Sequence, residues 1–288
     1  TPRLPRHAVV LPPLPAQTRR AASPYPHGDR LALLDYVRDA RGVHFTDTTT
    51  RDATQSNSGN RFRLAEDELV GPYLDECGFF SLENGGGAHF HVAMLANMTY
   101  PFSEARAWNT FAPKTLKQIL VRSTNVLGYS PQPRGLMRLT GEMICDNYHI
   151  IRCFDFLNHV ENMRPLAEVV MSRRDVVFEP AVSLSWARGF TVDHYLEVVA
   201  AMIRLCGEVG GLGERETENQ IILGLKDMAG VCPPRFISAL VQALHKRWPA
   251  LVLHYHRHAT DGLFVPAVGA AAAAGAHIVD VNLGASAR

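Results

Sequence analysis

At 288 residues the chain is long enough for one large domain with a well-buried core, and its 47% apolar and 20% charged content is that of an ordinary globular protein. A net charge of +1 gives no electrostatic basis for binding nucleic acid or an anionic membrane. No apolar run reaches the ~18 residues of a spanning helix, so no membrane span is expected.

The first 28 or so residues are rich in proline and carry Arg3, Arg6, Arg19 and Arg20 without any apolar periodicity. Such a composition predicts an extended arm, and it lacks the apolar stretch of a secretory signal. The expected division is therefore an arm over residues 1–30 and a barrel domain over 31–288. From Leu31 onward, strand-like and helix-like runs alternate. Strands are predicted at His44–Thr49, Phe79–Asn84, Gln118–Arg122, Ile150–Phe156, Val176–Leu184, Ile221–Lys226, Leu251–His256 and Ile278–Leu283. Helices are predicted between them, among others at Ala65–Cys77, Asp193–Cys206, Pro234–Trp248 and Leu263–Ala274. Eight strands alternating with helices predict a (β/α)8 TIM barrel. A doubly wound open sheet is the alternative, but Thr48 to Arg51 stand where its Gly-rich phosphate turn would be. The sequence stops shortly after the eighth strand, so the barrel is expected to be truncated there, without its closing helix. Cys77, Cys145, Cys153, Cys206 and Cys232 are scattered and odd in number, which suits reduced thiols in the cytoplasm better than a disulfide framework.

Chemistry concentrates in three runs. Leu253 to Gly262 places His254, His256 and His258 at alternate positions, so the three rings share one face of a strand. Neutral imidazoles on one face suit a divalent metal, although core or surface histidines would fit the same spacing. Asp47 to Ser56 and Gly224 to Gly230 each put charged residues at the end of a strand, where α/β barrels keep their chemistry.

Six motifs in order carry a resemblance: D-T-T-x-R-D-A-x-Q-S from Asp47, S-L-E-x-x-G-G-A at Ser81 to Ala88, L-x-R-x-x-N-x-x-G-Y around Arg122 to Tyr129, F-D-x-L-N at Phe154 to Asn158, K-D-M-A-G from Lys226, and H-x-H. The chain resembles the carboxyltransferase domain of biotin-dependent enzymes: pyruvate carboxylase, the oxaloacetate decarboxylase α subunit and the pyruvate-acting transcarboxylase subunit. The likeness runs from about Leu34 to Gly284.

The resemblance implies a divalent metal, zinc or manganese, held by Asp52, a carbamylated Lys226, His256 and His258. It leaves His254 as a barrel-filling residue or a support for a ligand. Around a 2-oxo acid it implies Arg51, Gln55 and Arg122, whose donors would face a carboxylate and a developing enolate oxygen. Asp47 is expected to fix its loop and Arg51. Carboxybiotin would come from a biotin carboxyl carrier and a biotin carboxylase, on other domains or subunits, and self-association is also implied. The family's proton-passing threonine corresponds to no residue of this sequence.

Departures from the pattern cluster at strand ends. Gly85 replaces an aromatic, His89 and His91 replace small or acidic residues, Ser123 replaces glycine, and Ala259 and Asp261 follow His258. These changes predict a reshaped pocket, open past Gly85, and leave the acceptor undefined. Two other readings stand beside this one: a biotin-free metal-dependent aldolase or lyase of the same barrel superfamily, and a non-catalytic scaffold subunit.

Overall fold

The structure, a computed structural model, describes residues 23–283. Its strands are β1 His44–Asp47, β2 Ser81–Gly86, β3 Leu116–Arg122, β4 Ile150–Phe154, β5 Val177–Ser183, β6 Ile222–Asp227, β7 Val252–Arg257 and β8 Ile278–Val281. They pair in sequence order, all parallel, and β8 closes on β1 through His44↔Ile278 to Asp47↔Val281. Closure removes the doubly wound alternative.

An outer helix follows each of the first seven strands: Leu64–Glu76, Pro101–Phe111, Arg134–Cys145, Arg164–Met171, Val192–Gly210, Pro234–Arg247 and Phe264–Ala274. Most turn an apolar stripe to the sheet, whereas Leu64–Glu76 buries Asp67, Gly71, Leu74 and Asp75. In the last of the helices Ala267 and Ala271 are the buried residues, and so small a side chain brings the helix close to the strands. None of the described helices is long and apolar enough to cross a membrane.

The barrel has an apolar floor and a charged upper interior. Leu116, Ile150, Val177, Ile222, Val252 and Ile278, from the starts of six strands, pack with Leu33, Leu34, Val37 and Tyr25. The helix Arg30–Arg38 that supplies three of these was not expected from the sequence. Its signals are Asp29, whose carboxylate accepts from the Leu31 and Ala32 amides at 3.0 and 3.2 Å, and the apolar spacing of Leu33, Leu34 and Val37. Residues 1–22 of the expected arm, and residues 284–288, lie outside the described residues.

Predicted strand ends differ from the observed ones mainly near the mouth. β1 stops at Asp47 because Thr49–Ala53 winds into a π-helical turn. β2 begins at Ser81 and runs on to Gly86, with a bulge between Glu83 and Gly85.

Candidate active site

Above the floor, the strands aim charged side chains into the lumen. Alternation sets this: Arg152, Glu179 and Asp280 are each the lone charge of a mostly apolar strand, Glu83, His254 and His256 share theirs with other polar residues, and all six are buried. Arg152 on β4 is the hub. It donates to Glu179 at 2.5 Å, to Glu83 at 3.0 Å and to Asp280 at 2.7 Å. His254 lies between Asp280 (2.7 Å) and Glu179 (3.2 Å). Burial would make its ring neutral, but the two carboxylates outweigh burial and raise its pKa.

At the C-terminal ends of the strands, Asp52, His256 and His258 converge, with one ligand atom from each lying within 4.8 Å of the others. The Asp52 Oδ2 is 3.1 Å from His258 Nε2 and 3.6 Å from His256 Nε2. His256 binds Asp280 through Nδ1 at 2.6 Å, while its Nε2 is buried without a hydrogen-bond partner. Burial, reinforced by Lys226, lowers the His256 pKa to about 4, so the ring is neutral and can offer a lone pair. Burial opposes ionisation of Asp52, yet Arg51, His258, His256 and Lys226 together hold its pKa well below the usual range. An acidic carboxylate, a neutral imidazole with an orphaned nitrogen and a second imidazole form a donor set that fits a divalent cation.

Lys226 pairs in register with His256 on the neighbouring strand and is buried. Burial lowers its pKa to about 8, with Arg51 and Arg152 adding to the effect and Asp52 opposing it. Its Nζ lies 5.4 Å from the Phe154 ring centroid. Asp227, next along, accepts from the Val231 and Cys232 amides at 3.1 and 3.0 Å, so the second residue of K-D-M-A-G shapes the loop.

Arg51 is committed on both terminal nitrogens, to Asp52 at 2.8 Å and to Glu83. Its Nε is buried and has no partner. Asp47 does not hold Arg51, contrary to expectation: it accepts from the Thr49 hydroxyl at 2.6 Å and the Thr49 amide at 3.2 Å. The nearer acids Asp52 and Glu83 take the guanidinium instead.

Gln55 and Arg122 meet around one glycine. A Cβ on Gly87 would lie 2.5 Å from Gln55 Oε1 and 3.7 Å from Arg122 Nη2, and Gly87 has φ +58°. Gln55 accepts from the Ala88 amide at 3.2 Å, which leaves its amide nitrogen as the donor. Arg122 stacks on Tyr129 at 4.9 Å and reaches the Gly128 carbonyl at 3.4 Å. The F-D-x-L-N motif locks this end of the barrel: Asp155 accepts from the hydroxyl of Ser123 at 3.1 Å and from the Leu157 and His159 amides. Ser123 has φ +29°, a backbone that suits the glycine of the family pattern better than serine.

The changes at Gly85, His89, His91 and Asp261 are each absorbed by a neighbour. A Cβ on Gly85 would overlap the Tyr148 hydroxyl and lie 2.8 Å from its Cζ, so the buried Tyr148 ring fills the space that the missing aromatic leaves. No opening exists past Gly85. His89 is buried 3.5 Å from Glu104, and the half-buried His91 faces Tyr129 with ring centroids 5.2 Å apart. Asp261 pairs with Arg257. Gly85→Ala is therefore expected to cost about 1–3 kcal/mol by overpacking. Tyr148→Phe in the same chain should recover part of that, as read by denaturant melts. A Gly85→Ala protein as stable as wild type would show that Tyr148 yields freely.

Glu83 stands in the S-L-E-x-x-G-G-A motif, but Arg152, Glu179 and Asp280 were not singled out in the sequence. Their signal is a lone charge inside an apolar strand of a parallel barrel, where no solvated face exists to receive it. All five cysteines are free, and four are buried.

No family model matches the chain. It is 31% identical to pyruvate carboxylase 1 of Caenorhabditis elegans over 288 residues, covering 95% of this chain and 23% of that protein. It is 33% identical over 254 residues to mitochondrial pyruvate carboxylase of Rattus norvegicus, covering 85% of this chain and 20% of the relative. Among solved structures, the carboxyl transferase domain of Rhizobium etli pyruvate carboxylase with pyruvate and biocytin superposes with a TM-score of 0.79 at 26% identity, covering 93% of this chain and 46% of that one. The complete multifunctional pyruvate carboxylase of Rhizobium etli gives a TM-score of 0.79 at 27% identity, covering 96% of this chain and 28% of the other. The chain thus spans about a fifth to a quarter of the length of the curated relatives it matches. By sequence and by fold, it belongs with the carboxyltransferase domains of the pyruvate carboxylase family.

Proposed function

We propose that the chain is a biotin-dependent carboxyltransferase, moving a carboxyl group between carboxybiotin and a 2-oxo acid of the pyruvate or oxaloacetate type. The observation that carries the reading is the convergence of Asp52, His256 and His258 beside a buried Lys226, in a barrel homologous to this family. Asp52, Lys226 as its carbamate, His256 and His258 would hold a zinc or manganese ion, which supplies a Lewis acid for the ketone oxygen.

Charge supports both the cation and the carbamate. Two guanidinium groups (Arg51, Arg152) face four carboxylates (Asp52, Glu83, Glu179, Asp280) in the interior, so carboxylates outnumber them. A divalent cation offsets that surplus of buried negative charge. Carbamylation needs the neutral amine, which burial of Lys226 favours.

The remaining residues bind and orient. Arg122 offers a planar fork for the substrate carboxylate or ketone oxygen. The Gln55 amide nitrogen and the unpartnered Nε of Arg51 supply further donors. As charge builds on the ketone oxygen, these fixed donors stabilise it without reorganising. The partners proposed are a biotin carboxyl carrier, a biotin carboxylase and a second copy of the chain. The cytoplasm is proposed on the five free cysteines alone, since the rat relative is named as a mitochondrial protein.

The test is the state of Lys226. Native mass spectrometry, and 13C NMR after equilibration with labelled bicarbonate, should detect one CO2 adduct per chain that is absent in Lys226→Ala. The same variant should lose turnover of oxaloacetate with free biotin. An unmodified lysine in an active, metal-loaded enzyme would overturn the carbamate and favour the lyase reading.

A further inference from the structure

We infer that Asp280, on β8, is a positioning residue that decides which ring nitrogen of His256 faces the cation site. The inference rests on the metal reading above and adds a residue that the sequence motifs do not contain.

Asp280 takes hydrogen bonds from charged groups on both oxygens: Arg152 Nη1 to Oδ2 at 2.7 Å, Arg152 Nη2 to Oδ1 at 3.3 Å, and His254 Nε2 at 2.7 Å from Oδ1. A guanidinium cannot accept, and an ionised carboxylate cannot donate. The fourth contact, 2.6 Å between Asp280 Oδ2 and His256 Nδ1, therefore needs the proton on Nδ1. In a neutral ring that leaves the lone pair on Nε2, the buried and unpartnered nitrogen 3.6 Å from Asp52 Oδ2. The tautomer required of a ligand is thus imposed from the opposite side of the ring. Arg152 and His254 hold Asp280 in place, so the orientation of His256 is built into the barrel wall before any cation arrives.

Asp280→Asn reverses this logic with little change of shape. His254 Nε2 and Arg152 Nη2 would claim the amide oxygen in the place of Oδ1, Arg152 Nη1 would keep Glu83, and the amide nitrogen in the place of Oδ2 would donate to His256 Nδ1. The ring proton would move to Nε2, where it blocks coordination.

The experiment titrates zinc alone, and manganese alone, into the metal-stripped full chain, as wild type, Asp280→Asn and His256→Ala. It also records the ring-nitrogen NMR of 15N-histidine protein without metal. Wild type should show His256 protonated on Nδ1. Asp280→Asn should bind each ion about 10–100-fold more weakly, the usual effect of losing an outer partner, and His256→Ala more weakly still. A lower melting temperature for metal-free Asp280→Asn with unchanged affinity would mean a merely structural role and overturn the inference. Protonation on Nε2 in the wild type would overturn it too, and needs no variant to fold. If wild type and His256→Ala bind the ions equally, the metal reading fails first and this role goes with it. Tight wild-type binding, unchanged in Asp280→Asn, removes the role of Asp280 and leaves that reading standing.

Discussion

Alanine at His256 or at His258 is expected to strip a divalent ion that the wild type carries at close to one per chain, whereas His254→Ala is expected to keep it. His254 and His256 share one face of β7 and His258 follows its last residue, but only the last two converge with Asp52. Removing either takes one donor from the cation, and the loss of affinity should exceed the ~10–100-fold that losing an outer partner causes. His254 acts differently. It is wholly buried between Glu179 and Asp280, and its removal leaves both acids with Arg152 as their remaining cation. Losing a buried, hydrogen-bonded ring leaves a cavity and an unsatisfied acid, so His254→Ala should be markedly less stable. The ion stays because Arg152 still grips Asp280, and Asp280 still orients His256. Elemental analysis of dialysed protein and thermal melts with and without chelator separate the two effects. Equal loss of metal in all three variants would mean that the ligand pair is misassigned.

The sequence made the barrel legible through alternation of short β-branched runs with longer helical ones, a pattern that survives errors of a few residues at element ends. It also made the ligand candidates legible, because Asp52, Lys226, His256 and His258 sit in motifs of local spacing. The charged interior was not legible in the same way. Arg152, Glu179 and Asp280 stand alone in I-I-R-C-F, V-F-E-P-A and I-V-D-V, from three different strands. Only closure of the sheet reveals that they face one another. Gly85 is the opposite case. Read locally, a glycine in place of an aromatic predicts space. The structure gives that space to Tyr148, which is 63 positions downstream in sequence and just before β4, two strands away, a compensation no local motif encodes. The helix Arg30–Arg38 was hidden by its proline-rich neighbour, although Asp29 and the apolar spacing behind it mark a capped start.

Arg122→Lys is expected to lower kcat by about 10²–10³, the usual effect of losing one preorganised oxyanion donor, with a smaller change in KM. Lysine keeps the charge but loses the planar fork that meets two oxygens at once. In this barrel the loss goes further. The guanidinium stacks on Tyr129 at 4.9 Å and reaches the Gly128 carbonyl at 3.4 Å, so its plane is fixed by contacts that a flexible ammonium would not reproduce. Gln55, beside Gly87, and the Nε of Arg51 would be left as the donors facing the oxygen. The measurement is decarboxylation of oxaloacetate with free biotin added, for wild type and variant, with kcat and KM resolved separately. A fall in kcat with little change in KM is the signature of stabilisation realised as charge develops, whereas a rise in KM alone would make Arg122 a simple carboxylate anchor. Equal activity of the two proteins would make the arginine structural, a partner for Tyr129 and the loop behind it. Activity in neither protein, with metal bound in both, would favour the scaffold reading over catalysis.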